Sequence, residues 1–304
     1  MDRIKRPSIL EANILFLILG IALWIIGGIV QAREVYTGLL ITEYIIILLP
    51  NILYLKFRGY SLKNVLRLNK IKLKQILYVV GITIFSYPVA IFLNGIIIAI
   101  VSLFSDTLPN SVPIPENSSM YFLSLFVIAI APGICEEVMF RGTMMNAYEN
   151  IGKRKAIIYS AVLFGLFHLN LQNLVGPMFL GLILGITAYK TNSIYSSMLG
   201  HTLNNGIAMT IGYFATKAQA TNLNKEVPAL EISYQLQVVM GLAIIGIFAL
   251  ISGFILMKLL KNIPEGKIII EEKVEHKVAR SIHYLPILGI VILFIFINVI
   301  YLFL

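Results

Sequence analysis

Two adjacent carboxylates interrupt an apolar stretch of this sequence. Glu136 and Glu137 lie between Tyr121 and Met145, in a run that is otherwise long enough to cross a bilayer. Ionisable side chains are costly in hydrocarbon unless they are paired or functional, so both glutamates need an explanation. On a helix, Glu137 and Arg141 stand four residues apart on one face and can neutralise each other. Glu136 points about 100° away and has no partner in its own segment.

Other polar side chains lie in later apolar segments. His168 follows Phe164 by one helical turn, and His201 precedes Asn205 by one turn on the same helix face. Together with Glu136, they place a carboxylate, two imidazoles and an amide on three hydrophobic segments, which is a set worth testing for catalysis. The alternative is that these side chains only join helices, a common role for intramembrane His, Asn and Glu.

The composition indicates a polytopic membrane protein. Of the 304 residues, 58% are hydrophobic and 13% are charged, and the mean hydropathy is +0.87. These values lie far outside the usual range for a soluble globular domain. Cys135 is the single cysteine, which excludes an internal disulfide framework.

Apolar segments that can form helices recur along the whole chain. They span residues 9–30, 38–55, 76–104, 120–145, 156–170, 174–189, 193–215, 234–257 and 284–303. Several have the roughly 20 residues that a spanning helix needs. The segments 156–170 and 174–189 are short, which indicates helices that are broken, tilted or enclosed in the bundle. The sequence therefore predicts an all-α transmembrane bundle of eight to nine helices, forming one membrane domain over residues 1–304.

The basic residues predict the orientation of this bundle. Most of the 24 Lys and Arg residues fall in the N-terminal segment and in alternate loops, whereas Arg33, Lys217 and Lys225 fall on the opposite side. By the positive-inside rule, the N-terminus is cytoplasmic. The net charge of +9 is thus explained by topology, and the expected partner is membrane lipid and not nucleic acid.

Several segments carry predictions of their own. Ile14–Val30 is an unbroken apolar run of 17 residues, longer than a usual signal-peptide core, and is interpreted as a signal anchor more readily than as a cleaved signal. Residues 105–119 are predicted to form an outer loop, and residues 258–283 a charged cytoplasmic connection. Glu11 and Glu43 lie near the predicted ends of the first two spans, so we expect both at the membrane interface.

Three motifs stand in order on three hydrophobic segments: Glu136-Glu137-x-x-x-Arg141, Phe164-x-x-x-His168 and His201-x-x-x-Asn205. Together they resemble the motifs of the CPBP family of CAAX proteases and bacteriocin-processing enzymes, also called the Abi family. The resemblance covers residues of about 120–213, which would be the catalytic core. It implies an intramembrane endopeptidase with a helical bundle and a catalytic cavity open to the cytoplasmic side. The Ile-, Lys- and Asn-rich composition favours a bacterial cell membrane.

The resemblance also implies a role for each matching residue. Glu136 would be the general base that activates water, and His168 would help to hold that water or polarise the site. His201 and Asn205 would stabilise the oxyanion, as an imidazole N–H and an amide on one helix face can do. The residues that would support the site structurally are Glu137, Arg141 and Phe164. The substrate would be a membrane-associated protein or peptide.

Two alternatives remain open at this point. The first is a zinc-dependent version of the protease, with Glu136, His168 and His201 as ligands and an open fourth position. We favour a reaction without a metal or other cofactor, because a ligating Glu136 cannot also be the base. The second is a non-catalytic membrane scaffold or bacteriocin-immunity protein on the same fold. The sequence identifies neither the substrate, the cleavage site nor the oligomeric state.

Overall fold

In the computed structural model, residues 5–103, 113–222, 234–266 and 280–303 can be described, and within these ranges the chain is helical and contains no strand. Parts of the predicted outer loop 105–119 and of the predicted connection 258–283 lie outside these residues. The predicted all-α class is confirmed. The helices are α1 (Ile9–Arg33), α2 (Val35–Phe57), the one-turn α3 (Leu62–Val65), α4 (Leu73–Val101), α5 (Ser118–Ile151), α6 (Lys153–Phe167), α7 (Val175–Thr191), α8 (Ile194–Asn222), α9 (Tyr234–Asn262) and α10 (Leu285–Phe303).

Apart from α3, these helices follow the predicted apolar segments in order. Six of the described helical segments are long and apolar enough to cross a membrane, namely α1, α2, α4, α5, most of α9, and α10 with the turn before it. The shorter α7 is apolar as well. Hydrophobic side chains that would be unfavourable in water remain exposed around the bundle, as expected for a surface that faces lipid.

Basic side chains from separate loops meet at one end of the bundle, which we call the basic end. There Lys5 donates to the backbone carbonyl of Arg58 at 3.2 Å, while Arg6 and Arg67 both pair with Glu149. These contacts join the chain start, the connection after α2 and the end of α5. The structure therefore gathers on one side the loops that the charge pattern had predicted to share a side.

The opposite end is held by amides. Asn298 on α10 accepts a hydrogen bond from the backbone N–H of Leu171 at 2.7 Å, and Asn94 on α4 accepts one from Gly176 at 2.7 Å. These contacts fix the short connection between α6 and α7 and the first turn of α7, whose backbone N–H groups have no helical partner. The connection is thereby tied to α4 and α10.

The first helix belongs to the core of the bundle. Phe16 is fully buried and packs edge-on against Phe140 of α5. Asn13 is buried beside it, accepts from the Tyr148 hydroxyl at 2.9 Å and donates to the His283 carbonyl at 2.8 Å. The segment interpreted as a signal anchor is thus an integral helix joined to α5 and to the start of α10.

The central helix is α5, and it is irregular on both sides of the acidic pair. Its Ala131–Glu137 segment lies between two π-helical stretches, Leu125–Ile130 and Val138–Met144. Every residue from Val138 to Tyr148 is buried. π-helical turns are rare and are frequent at functional sites, because they shift the direction of the side chains that follow.

The short helices α6 and α7 pack against each other. Helix α6 also packs against the buried part of α5, whereas α7 packs against α4 and α8. Helix α6 begins after Gly152, whose φ of +111° suits glycine, and ends at Phe167. The prediction that this segment extends to residue 170 is wrong, since His168 caps the helix and Leu169 adopts a φ of +51°. His168 therefore lies at a helix end and not inside a span.

Candidate active site

A buried ion pair forms the centre of the site. The Arg141 Nη1 donates to Glu137 Oε1 at 2.9 Å, and the two side chains are 1% and 0% exposed. The Arg141 Nη2 also donates to the Gly181 carbonyl at 3.0 Å. A charge-assisted bond of this kind is strong where water is excluded. It ties α5 to α7 at the level of the acidic pair.

His201 joins the same carboxylate. Its Nδ1 lies 3.0 Å from Glu137 Oε1, and the ring is 3% exposed. Because Glu137 is ionised by Arg141 and a carboxylate only accepts, Nδ1 is the protonated nitrogen. The Nε2 of His201 is then the atom available to a reacting group, as in other carboxylate–histidine pairs.

Phe164 fills the space between the polar groups. Its ring lies edge-on to His168 and to His201, with centroid separations of 5.2 and 5.5 Å, and the Arg141 guanidinium carbon is 4.8 Å from its centroid. The buried ring thereby fixes the spacing of the two imidazoles and of the cation. The expectation that Phe164 packs against the site agrees with these contacts.

His168 has a different environment from His201. It is exposed, and its Nδ1 lies 2.9 Å from the Phe164 carbonyl oxygen one turn back. A carbonyl only accepts, so Nδ1 carries the proton and Nε2 of the neutral ring is left as an acceptor. An exposed acceptor beside a helix end can receive a hydrogen bond from water.

Asn205 completes a helix that proline interrupts. Pro132 has no N–H to donate to the Ile128 carbonyl, and Asn205 Nδ2 donates to that oxygen instead, at 3.0 Å. Its Oδ1 accepts from Asn204 at 3.1 Å. One N–H of the Asn205 amide is used in this way, and the amide has a second N–H.

A glycine brings α5 and α8 together beside the acidic pair. A Cβ added at Gly133 would overlap the Thr202 side chain and lie 3.0 Å from its backbone nitrogen. The absence of a side chain therefore lets the two backbones approach closely, as small residues do between membrane helices. Glu137 and His201 can meet only because of this approach.

Glu136 is half-buried and faces a different helix. Its side chain is in hydrogen-bonding contact with Glu43 on α2, which is 5% exposed. The prediction that Glu43 is interfacial is wrong, because α2 is long enough to place residue 43 inside the bundle. Glu11 does lie at the basic end, where it pairs with Arg58 and accepts from Tyr54 at 3.1 Å.

Sequence reasoning missed Glu43 as a neighbour of the site. The available signal was that Glu43, like Glu136, is an ionisable residue inside an apolar segment, five residues from the start of segment 38–55. Ionisable residues at similar depths in different spans are candidates for contact, because each lowers the cost of burying the other.

The residues do not assemble as a metal site. Over the described parts of the chain, no three His, Cys, Asp or Glu side chains come close enough to hold a metal ion together. The alternative ligand set of Glu136, His168 and His201 is therefore not formed in this structure. Zinc dependence stays a prediction for experiment.

A comparison with known families bears on this arrangement. Residues 118–207 match the family model for type II CAAX prenyl endopeptidase Rce1-like proteins. These proteins are a branch of the CPBP family, so the match and the three motifs point to the same family. This CPBP segment runs from the start of α5 into α8, so it contains all three motifs and the ion pair at their centre. Neither the curated proteins nor the solved structures give a match to the chain.

Proposed function

We propose that this protein is an intramembrane endopeptidase that hydrolyses peptide bonds with a glutamate-activated water. The observation that supports this most is the arrangement of His201 and Glu137, because a buried carboxylate bonds one imidazole nitrogen and leaves the other for a reacting group. Polar side chains that only join helices would not require a carboxylate to bond one nitrogen of a histidine and leave the other free to act. The match to a protease family supports the same class of reaction.

Glu136 is the proposed base. It removes a proton from water while the water oxygen attacks the peptide carbonyl carbon. His168 accepts a second hydrogen bond from that water at Nε2, which orients the attacking lone pair. Because Glu137 is already bound by Arg141 and His201, Glu136 is the member of the acidic pair left for this role.

His201 and Asn205 are the proposed hydrogen-bond donors to the oxyanion of the tetrahedral intermediate. His201 donates from Nε2 as an imidazolium, and the Glu137 carboxylate stabilises that charged form. Asn205 donates the N–H that does not bond Ile128. The C–N bond then breaks, and Glu136 returns its proton to the leaving amine.

The proposed substrate is a membrane-associated protein or peptide. The name of the matched family refers to prenylated CAAX proteins, whose lipid anchor keeps the scissile bond near the membrane. A site inside a lipid-facing bundle suits any substrate that is presented from the bilayer. We further propose a bacterial cell membrane with the basic end on the cytoplasmic side.

The test is cleavage of quenched fluorescent membrane peptides, prenylated and unprenylated, by purified protein in detergent. We expect cleavage by the wild type and a loss of at least about 1,000-fold in kcat for Glu136→Gln, which keeps the shape of the side chain but cannot take the proton. Glu11→Gln is the matched control, because Glu11 lies at the basic end and should leave kcat unchanged. Equal rates for Glu136→Gln and wild type would refute the proposed base.

The zinc alternative is tested in the same assay with a tight chelator. A glutamate peptidase without metal keeps its activity after chelation. Loss on chelation and recovery with added zinc would instead favour the metal-dependent form. Absence of any cleavage by the wild type, with every peptide class, would favour the scaffold or immunity alternative.

A further inference from the structure

The contact between Glu43 and Glu136 joins two acidic side chains inside the bundle. The π-helical turn Ile41–Leu48 of α2 packs against the Ala131–Glu137 segment of α5 and carries Glu43 into this contact. The buried Oε2 of Glu43 receives no hydrogen bond from a donor among the described groups. A proton between the two carboxyls would supply that donor.

The two glutamates of the motif are therefore held by opposite kinds of partner. Glu137 lies against Arg141 and His201, which both donate to it. Within the described residues, no ion pair involves Glu136, and the side chain that it contacts is the carboxyl of Glu43. Two ionised carboxylates would repel each other in this setting, and a hydrogen bond between them requires that one of them carries a proton.

The burial of Glu43 is unfavourable unless its carboxyl has a partner such as Glu136. Placing a carboxyl inside a membrane bundle is costly, and two apolar residues in place of the Glu43–Glu136 pair would pack α2 against α5 more favourably. Asn51, two turns further along α2, is also buried, but among the described residues it bonds only to the Ile47 carbonyl of its own helix, at 2.8 Å. Glu43 instead reaches across to the proposed base.

We propose that Glu43 is a positioning residue, which shares a hydrogen bond with Glu136 and holds its carboxyl in the direction from which it takes a proton from water. The contact itself is independent of the reaction, whereas the positioning role rests on the proposed function. Two experiments separate these parts.

The contact is tested by a double-mutant cycle with Glu43→Leu and Glu136→Leu, read as the thermal unfolding midpoint in detergent. Each single change leaves one carboxyl without its partner and should lower the midpoint by on the order of 5 °C. The double variant leaves no unpaired carboxyl, so its unfolding midpoint should fall by much less than the sum of the two single losses. Asn51→Leu combined with Glu136→Leu is the control and should be additive. Additive losses for the Glu43 pair would overturn the contact.

The positioning role is tested by kinetics on the peptide that the wild type cleaves. Glu43→Gln retains an N–H that can donate to Glu136, so its kcat should stay within about 3-fold of wild type, whereas Glu43→Leu should lose roughly 10- to 100-fold in kcat with little change in KM. A wild-type kcat for Glu43→Leu, or equal losses for both variants, would overturn the role. If the wild type cleaves nothing, the proposed function and the positioning role both fail, and the cycle alone still decides the contact.

Discussion

At the scale of single residues, the site is organised by one oxygen atom. Glu137 Oε1 accepts hydrogen bonds from both Arg141 and His201. Because Arg141 also donates to the Gly181 carbonyl, this one buried carboxylate helps to join α5, α7 and α8. A buried charge whose partner is removed keeps its desolvation cost and loses its compensation. The pair is therefore expected to matter for stability as well as for the direction of His201.

We predict that Arg141→Met destabilises the protein by about 3 to 5 kcal/mol, because it leaves Glu137 charged and buried. The matched control is Arg58→Met, which breaks the Glu11 pair where the side chains are 54% and 30% exposed. That change should cost no more than about 1 kcal/mol. Thermal unfolding in detergent measures the stability of both variants. Similar losses of stability for Arg141→Met and Arg58→Met would contradict the assignment of Glu137 and Arg141 as a buried ion pair.

The sequence predicts much of the site at this scale but not all of it. The Glu137–Arg141 pair follows from helical spacing alone, and the polar motifs on three segments follow from the rarity of such groups in apolar runs. The bond from His201 to Glu137 and the contact of Glu43 with Glu136 depend on how distant helices pack. Spacing within one helix contains no information about that packing.

At the scale of elements, the position of α8 against α5 decides whether the motifs meet. Gly133 allows the close approach, and Pro132 leaves a carbonyl that Asn205 then bonds. The sequence indicates a disturbed helix at this point. It does not indicate that a side chain of the third motif, and not water, satisfies the freed carbonyl, because the partner lies more than 70 residues away.

We predict that Gly133→Ala destabilises the protein by about 1 to 3 kcal/mol, because the new methyl group overlaps Thr202 and pushes α8 away. Gly241→Ala on α9 is the control, since nothing lies within 4 Å of its added Cβ. Alanine favours a helix over glycine, so the control should be neutral or slightly stabilising. Thermal unfolding of both variants tests this, and a neutral Gly133→Ala would contradict the close approach.

At the scale of the whole molecule, hydropathy predicts the bundle well, since apolar runs in lipid have few alternatives to helices. Helix ends are predicted less well. The apolar pattern predicts His168 inside a span, yet α6 stops at Phe167 because the following residues turn sharply and bond to α10. Such ends are set by neighbouring helices.

The proposed orientation is tested by labelling single cysteines with a membrane-impermeant maleimide. Lys63→Cys lies at the exposed basic end and Ser119→Cys at the exposed start of α5. We predict that Ser119→Cys reacts in intact cells and that Lys63→Cys reacts only after permeabilisation. The native Cys135 is buried and should stay unlabelled. The reverse labelling pattern would place the basic end outside.

The central claim is that Glu136 activates water for peptide hydrolysis within the bundle. The most direct measurement is mass spectrometry of a membrane peptide digested by the purified protein in water enriched in oxygen-18. Our account predicts one heavy oxygen in the new carboxyl terminus for the wild type, and no cleavage product for Glu136→Gln. Labelled product formed by Glu136→Gln at the wild-type rate would contradict it.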